Sequence, residues 1–359
     1  MKDQLELGAY FNLLDNAPTF EIQTAFTKGY QVIGSGHDNI IASISGGADS
    51  DIVCDFIARI QRVLCWGGES RMPDVSYVFF DTGMEFQATK EHLDFLEEKY
   101  GIKIHREKAV VPVPLGVRRY GQPFLAKQVS EFIERLQRHG FKWENRPFDE
   151  LYAEYPKCKA ALRWWCNAWD EGSRFNISHW PWLKEFMVEN PPTFKISPKC
   201  CEGAKKKTAK RFQDNCDADL SVQGVRKAEG GVRSTAIKGC FSQNFGEMDV
   251  YRPIFWFSQS DKEAYCEAYG VTHSRCYTQY GLPRTGCACC PFGSNFENEL
   301  KAAELYEPKM HKAALKVFGD AYEYTRAYRR FKDEKYQEGL AEKSGGRQLS
   351  LYDEMEGQP

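Results

Sequence analysis

The chain has 359 residues, 42% hydrophobic and 27% charged, with 48 Lys and Arg against 50 Asp and Glu for a net charge of −2. That length buries one large α/β core, or one core and a smaller helical unit, and the near-neutral balance excludes a global field for nucleic acid while leaving local phosphate-binding clusters open. No apolar run approaches the ~20 residues of a membrane span and no secretion signal opens the chain, so 13 cysteines point to a reducing, cytoplasmic setting in which thiols pack, bind metal or attack.

In chain order, 39–44 (NIIASI) reads as a short buried strand, followed by the loop Ser45-Gly46-Gly47-Ala48-Asp49-Ser50. From Asp49 to Leu64, Ile52, Val53, Phe56, Ile57, Ile60 and Val63 recur at helical spacing. A second strand, VSYVFF at 75–80, ends in Asp81-Thr82-Gly83; the stretch from Gln87 to Tyr100 is helical, and IKIH at 102–105 is a strand. Successive βα units imply a parallel sheet. Residues 116–190, aromatic-rich and including ALRWWCNAW, read as a helical insertion before a returning strand, DLSVQG at 219–224. The expected organisation is a nucleotide-binding core with a cysteine cluster at 1–115 and 191–292, an insertion at 116–190, C-terminal helices at 293–332 and a flexible tail at 333–359.

A strand that ends in Ser-Gly-Gly and opens into a helix surrounds an anion with backbone N–H groups and the positive end of the helix. A turn without a ligand needs the glycines alone, whereas here Ser45 and Ser50 offer hydroxyls to phosphate and Asp49 and Asp51 offer carboxylates to Mg2+. The P-loop and G-x-G-x-x-G patterns are absent at this position. Asp81, at the carboxyl end of its strand, stands where open α/β sheets bind ligands; it suits ribose, adenine or Mg2+, or else an N-cap. Arg226 and Arg233 suit phosphate or sulfate-like groups, since a guanidinium donates two parallel hydrogen bonds, although an ion pair with Glu229 would also occupy one of them.

SGGADS resembles the SGGxDS signature of PP-loop ATP pyrophosphatases, which cleave ATP between the α and β phosphates and activate a substrate as an adenylate. FFDTGMEFQAT (79–89), SVQGVRKAEGGVR (with Gly224, Arg226, Glu229 and Arg233) and YRPIFWFSQSD (251–261) are similar, in order, to elements of the phosphoadenosine phosphosulfate (PAPS) reductase family. The resemblance implies a Rossmann-like adenine nucleotide α-hydrolase fold with a doubly wound, mostly parallel sheet. It also implies ATP, or a PAPS- or APS-like adenine nucleotide, with Mg2+. The nucleotide would be bound by Ser45, Gly46, Gly47, Asp49, Ser50, Asp81, Thr82, Gly83, Gly224, Arg226 and Arg233, with Asp49 catalytic.

Cys200-Cys201 and Cys287-x-x-Cys290 have the spacing of ligands for Zn2+ or an iron–sulfur cluster. Cys276 and Cys289 compete for a place in the set. Iron–sulfur members of the family carry a tandem pair and a downstream CxxC around a [4Fe-4S] cluster, which the resemblance implies for Cys200, Cys201, Cys276, Cys287 and Cys290. Cys54, Cys65, Cys158, Cys166, Cys216, Cys240 and Cys266 are expected to pack as core thiols. Lys199, Lys205, Lys206, Lys207, Lys210 and Arg211 near the tandem pair either offset cluster charge or form a solvated face.

The reductases attack sulfur with a thiol in a C-terminal segment like Glu-Cys-Gly-Leu-His, and no cysteine follows Cys290 here. The expected function is therefore ATP-dependent adenylation and sulfur transfer, as in tRNA thiolases and DNA phosphorothioation subunits, with a sulfur-donor protein as partner. The alternatives are a sulfonucleotide reductase with its thiol supplied from elsewhere, and a non-enzymatic regulator. Trp164, Trp165 and Trp169, with Arg118, Arg119 and Lys127, would suit a nucleic-acid substrate if exposed, and a helical core stripe if buried.

Overall fold

The computed structural model describes residues 2–34, 36–66, 73–230, 236–244, 248–293 and 295–353. Helices Lys2–Asp15 (α1) and Phe20–Gly34 (α2) precede Asn39–Ser43 (β1), then Ala48–Trp66 (α3), Asp74–Asp81 (β2), Gln87–Tyr100 (α4) and Ile104–Lys108 (β3). Helices Lys127–Arg138 (α5), Phe148–Glu154 (α6), Lys159–Trp165 (α7) and Leu183–Glu189 (α8) come next. The chain continues with Lys207–Asp214 (α9), Leu220–Gln223 (β4), Phe241–Ser242 (β5), Asp249–Tyr251 (β6), Gln259–Tyr269 (α10) and Arg275–Thr278 (α11). It ends in Phe296–Tyr306 (α12) and Pro308–Asp353 (α13), so that 333–353 is helical backbone.

Among the described residues the strands form a six-stranded sheet in the order β3-β2-β1-β4-β6-β5. Neighbours are parallel except for β5, which runs antiparallel to β6. The expected α/β class with a doubly wound, mostly parallel sheet is what the chain adopts. It moves outward from β1 through β2 to β3 and returns on the far side of β1 as β4. The carboxyl ends of β1 and β4 therefore flank the switch point at which open α/β sheets take ligands.

Packing divides the chain into two units. The first comprises Met1–Val113, Glu202–Ala288 and Glu297–His311 and contains the sheet. Its core is built on α3, whose Ile52, Val53, Phe56, Ile57 and Ile60 are fully buried, each side chain contributing about 1.5–3 kcal/mol relative to exposure. Phe56 stacks on Phe26 of α2 with ring centroids 5.2 Å apart. This is the helical stripe expected from Asp49 to Leu64, seated on a strand whose Ile40, Ile41 and Ala42 are buried.

The second unit comprises Pro114–Cys201, Cys289–Phe296 and Lys312–Pro359. Its core holds Trp164 and Trp165 at 1% and 0% exposure among Phe124, Ile133, Leu162, Leu183 and Met187. The Trp165 indole N–H donates to the Glu144 carbonyl at 2.9 Å. These two rings are core, so neither presents a face on which a nucleic-acid base could stack, whereas Trp169 lies beyond the end of α7, is partly exposed and has the Arg163 guanidinium 5.0 Å from its ring centroid.

Candidate functional site

At the end of β1 the chain turns through Ser45-Gly46-Gly47 into α3. Gly46 has φ +67°, and a Cβ there would lie 2.6 Å from Thr89 Cγ2, so both backbone and space require glycine. The buried Ser50 hydroxyl accepts from the Ser45 N–H at 3.2 Å and the Gly47 N–H at 3.1 Å, and donates to the Gly47 carbonyl at 2.7 Å. Ser50 thus closes the loop on itself, while Ser45 is exposed. The Ala48 N–H, in the first turn of α3, donates to the Tyr277 hydroxyl at 3.0 Å, which also accepts from the Thr285 N–H at 3.2 Å. Tyr277 and Thr285 lie against the glycine loop, and sequence reading missed both.

Opposite charges converge beside this turn. Asp49 Oδ2 accepts from Arg226 Nε at 2.9 Å, and Asp49 Oδ1 lies 2.9 Å from Lys262 Nζ. Burial works against the Asp49 carboxylate, but Lys262 and then Arg226 outweigh it and hold it below the usual aspartate range. Arg226 reaches Asp49 because β4 lies beside β1, and Gly224 permits the approach: a Cβ there would lie 3.1 Å from the Asp49 carbonyl oxygen. Lys262 stands in the first turn of α10. That helix starts where the Ser258 hydroxyl accepts from the Asp261 N–H while the Asp261 carboxylate accepts from the Ser258 N–H. The Ser-x-x-Asp pattern of this capping box is a signal that would have fixed the helix start, but not the reach of Lys262 to Asp49.

At the end of β2, Asp81 accepts from the Gly83 N–H at 2.9 Å and lies 3.4 Å from Lys90 Nζ. Glu85 accepts from the Thr82 N–H at 3.0 Å, from the Thr82 hydroxyl and from the Met84 N–H at 3.1 Å. Burial, followed by the Asp81 carboxylate, pushes Glu85 up to about 7. The neutral form of Glu85 therefore contributes stability fully below the ordinary glutamate value of 4.5, and that contribution is lost as pH rises through about 7. Glu85→Gln, which fixes the neutral form, is expected to flatten this decline, read as urea midpoints at about pH 5 and about pH 7.5. An equally steep decline in the variant would place the proton elsewhere.

The remaining expected residues divide. Arg233 lies outside the described residues. Asp51 is fully buried, with Oδ1 3.0 Å from His92 Nε2 and Oδ2 2.8 Å from His273 Nδ1. With Asp49 paired to two cations and Asp51 to two imidazoles, the carboxylates expected to take Mg2+ do not fit it in this structure.

Cys276 and Cys287 belong to the first unit, and Cys200, Cys201, Cys289 and Cys290 to the second. The Cys276 sulfur lies 3.5 Å from Thr89 Oγ1, and the Cys287 sulfur 3.4 Å from Thr82 Oγ1. Six thiols are suitable donors for a cluster. Among the described residues, however, no three His, Cys, Asp or Glu side chains are grouped to hold a metal ion. Of the basic residues near the tandem pair, Lys199 pairs with Glu134, Lys207 with Glu202 and Arg211 with Glu107. Cys54 and Cys158 are core thiols as expected, whereas Cys65 is exposed because the apolar stripe of α3 has ended there.

No protein-family model matches the chain, and no curated protein sequence matches it. Among solved structures it is similar to a phosphoadenylyl-sulfate (PAPS) reductase from Candida auris in a phosphate complex, with 12% identity over 77% of this chain and 93% of that one and a TM-score of 0.38. It is also similar to the U34-tRNA thiolase NcsA from Methanococcus maripaludis with its [4Fe-4S] cluster, with 12% identity over 87% of this chain and 80% of that one and a TM-score of 0.36. Likenesses of this size carry no argument about activity, which rests on the residues above. No helix among the described residues is long and apolar enough to cross a membrane.

Proposed function

We propose that the chain is an ATP pyrophosphatase-type enzyme that adenylates an oxygen of its acceptor and, in the finer reading, passes sulfur to that acceptor. The observation that carries this is the pairing of Arg226 and Lys262 with Asp49 at the N-terminus of α3, beside a glycine loop at the carboxyl end of a parallel strand. A helix N-terminus and two fixed cations suit a polyphosphate.

Asp49 orients the two cations before the nucleotide arrives, so their charge is in place where the leaving group forms. The acceptor oxygen attacks the α-phosphorus, the bond between the α-phosphorus and its bridging oxygen breaks, and pyrophosphate departs with that electron pair. Arg226 and Lys262 stabilise the charge that grows on it. Sulfur would then attack the acceptor atom that bears the adenylated oxygen, and AMP would leave with that oxygen and the electron pair of the broken bond. No step is assigned to Mg2+ held by the protein; the nucleotide is supplied as its Mg2+ complex.

The purified chain given this complex is expected to release pyrophosphate and to leave AMP, with a water oxygen in the place of the acceptor, read by chromatography of the nucleotides. ADP and orthophosphate as products would refute the pyrophosphatase reading, and failure to bind ATP in calorimetry would favour a regulator. The spacing of Cys200, Cys201, Cys287 and Cys290, with Cys276 and Cys289, supports the further proposal of an iron–sulfur cluster. Iron and sulfide analysis of the same protein purified anaerobically tests it, and stoichiometric zinc in a colourless protein would overturn it.

A further inference from the structure

Asp51, His273 and Cys266 form a continuous line inside the first unit. Asp51 Oδ2 lies 2.8 Å from His273 Nδ1, and His273 Nε2 lies 3.5 Å from the sulfur of Cys266 on α10. The carboxylate is sealed at 0% exposure, the imidazole is 20% exposed and the thiol is partly exposed. A buried carboxylate needs charge compensation. Half-burial works against the His273 imidazolium, but Asp51, and then Cys266, outweigh it and raise His273 to about 9. A core thiol needs no such arrangement. Cys54, on α3 near Asp51 and Asp55, shows the contrast, since burial and those carboxylates push its thiol far up.

We propose that Cys266, His273 and Asp51 form a nucleophilic thiol centre, distinct from the nucleotide cradle, whose substrate class is a low-molecular-weight disulfide. The Cys266 proton leaves to solvent, and the His273 imidazolium, oriented by Asp51, pairs with the thiolate that remains. The sulfur then attacks one sulfur of the disulfide, a new S–S bond forms as the old one breaks, and the electron pair leaves on the departing thiolate, which takes up a proton from solvent. One disulfide is consumed and one mixed disulfide is made, with no net oxidation. This does not rest on the nucleotide reading. The titratable groups facing the pair are Asp51 from α3, His92 from α4 through Asp51, and Tyr277 from α11, whose ring centroid is 5.7 Å from that of His273. Lys262, one turn earlier on α10, is committed to Asp49.

Full-length chain is incubated with glutathione disulfide, quenched in acid and digested, and the Cys266 and Cys65 peptides are quantified by mass spectrometry. Cys65, which is exposed, is the internal reference. At about pH 6.5, Cys266 is expected to react at least about tenfold faster than Cys65, because the His273 imidazolium stabilises the negative charge on the attacking sulfur. His273→Gln is expected to remove that advantage while leaving the Cys65 rate and the far-ultraviolet circular dichroism unchanged, and Asp51→Asn is expected to do the same. Cys266 reacting no faster than Cys65, or keeping its rate in folded His273→Gln, overturns the proposal. Should Asp51→Asn fail to fold, His273→Gln alone decides.

Discussion

Arg226→Ala is expected to lower the turnover rate of pyrophosphate release by about a hundredfold or more, the loss that follows removal of one preorganised donor from a developing anion. Arg226 is 8% exposed and donates through Nε to Asp49 Oδ2. Its removal takes one cation from the departing pyrophosphate and leaves Asp49 with Lys262 alone. The unpaired carboxylate oxygen adds a stability cost of about 1–3 kcal/mol. Because the cation acts on charge that appears as the bond breaks, kcat should fall more than KM rises. Arg226→Lys restores charge without the planar fork and should recover only part of the rate. Arg226→Ala and Asp49→Ala should combine non-additively, since each disables the same pair. Steady-state assays of the two single variants and the double variant check this, and a kcat close to that of the parent in Arg226→Ala would remove Arg226 from the chemistry.

Gly46→Ala is expected to destabilise the fold by roughly 2–4 kcal/mol, combining a left-handed alanine with overpacking. The clash is specific, with the new Cβ 2.6 Å from Thr89 Cγ2. Thr89→Ser keeps the hydroxyl and deletes that methyl, so the double variant should regain the overpacking part and retain the backbone part. Urea midpoints of the single and double variants separate the two, and ATP binding should fall with Gly46→Ala because the loop N–H groups move with it. A midpoint unchanged in Gly46→Ala would show that the turn tolerates a side chain.

The glycine loop was legible because each of its signals is local: a short apolar strand, a pair of glycines, then an apolar stripe at helical spacing. Gln87–Tyr100 was bounded correctly for the same reason, with Gly101 in the left-handed conformation at its end. What sequence reading missed is non-local. Lys262 reaches Asp49 only because the sheet brings β4 and the chain that follows it alongside β1, and no periodicity reports that adjacency. Asp51 was read with Asp49 as an offer to Mg2+, yet its partners His92 and His273 come from α4 and from the segment before α11. Cys266 looked like core packing because a thiol on a helix carries no local mark of an imidazole brought to it by tertiary folding. The strand β5, of two residues, is too short to leave a pattern.

Among the described residues, that short strand and β3 are the two edges of the sheet. An open edge is a template on which another chain can add hydrogen-bonded strands, and both ends are blunted here. β5 offers too few backbone groups to hold a guest strand. β3 reads Ile-His-Arg-Glu-Lys, with the Lys108 carbonyl already accepting from Arg211. Any added strand would have to desolvate four successive ionisable side chains, so the fold resists edge-to-edge aggregation without closing its sheet into a barrel.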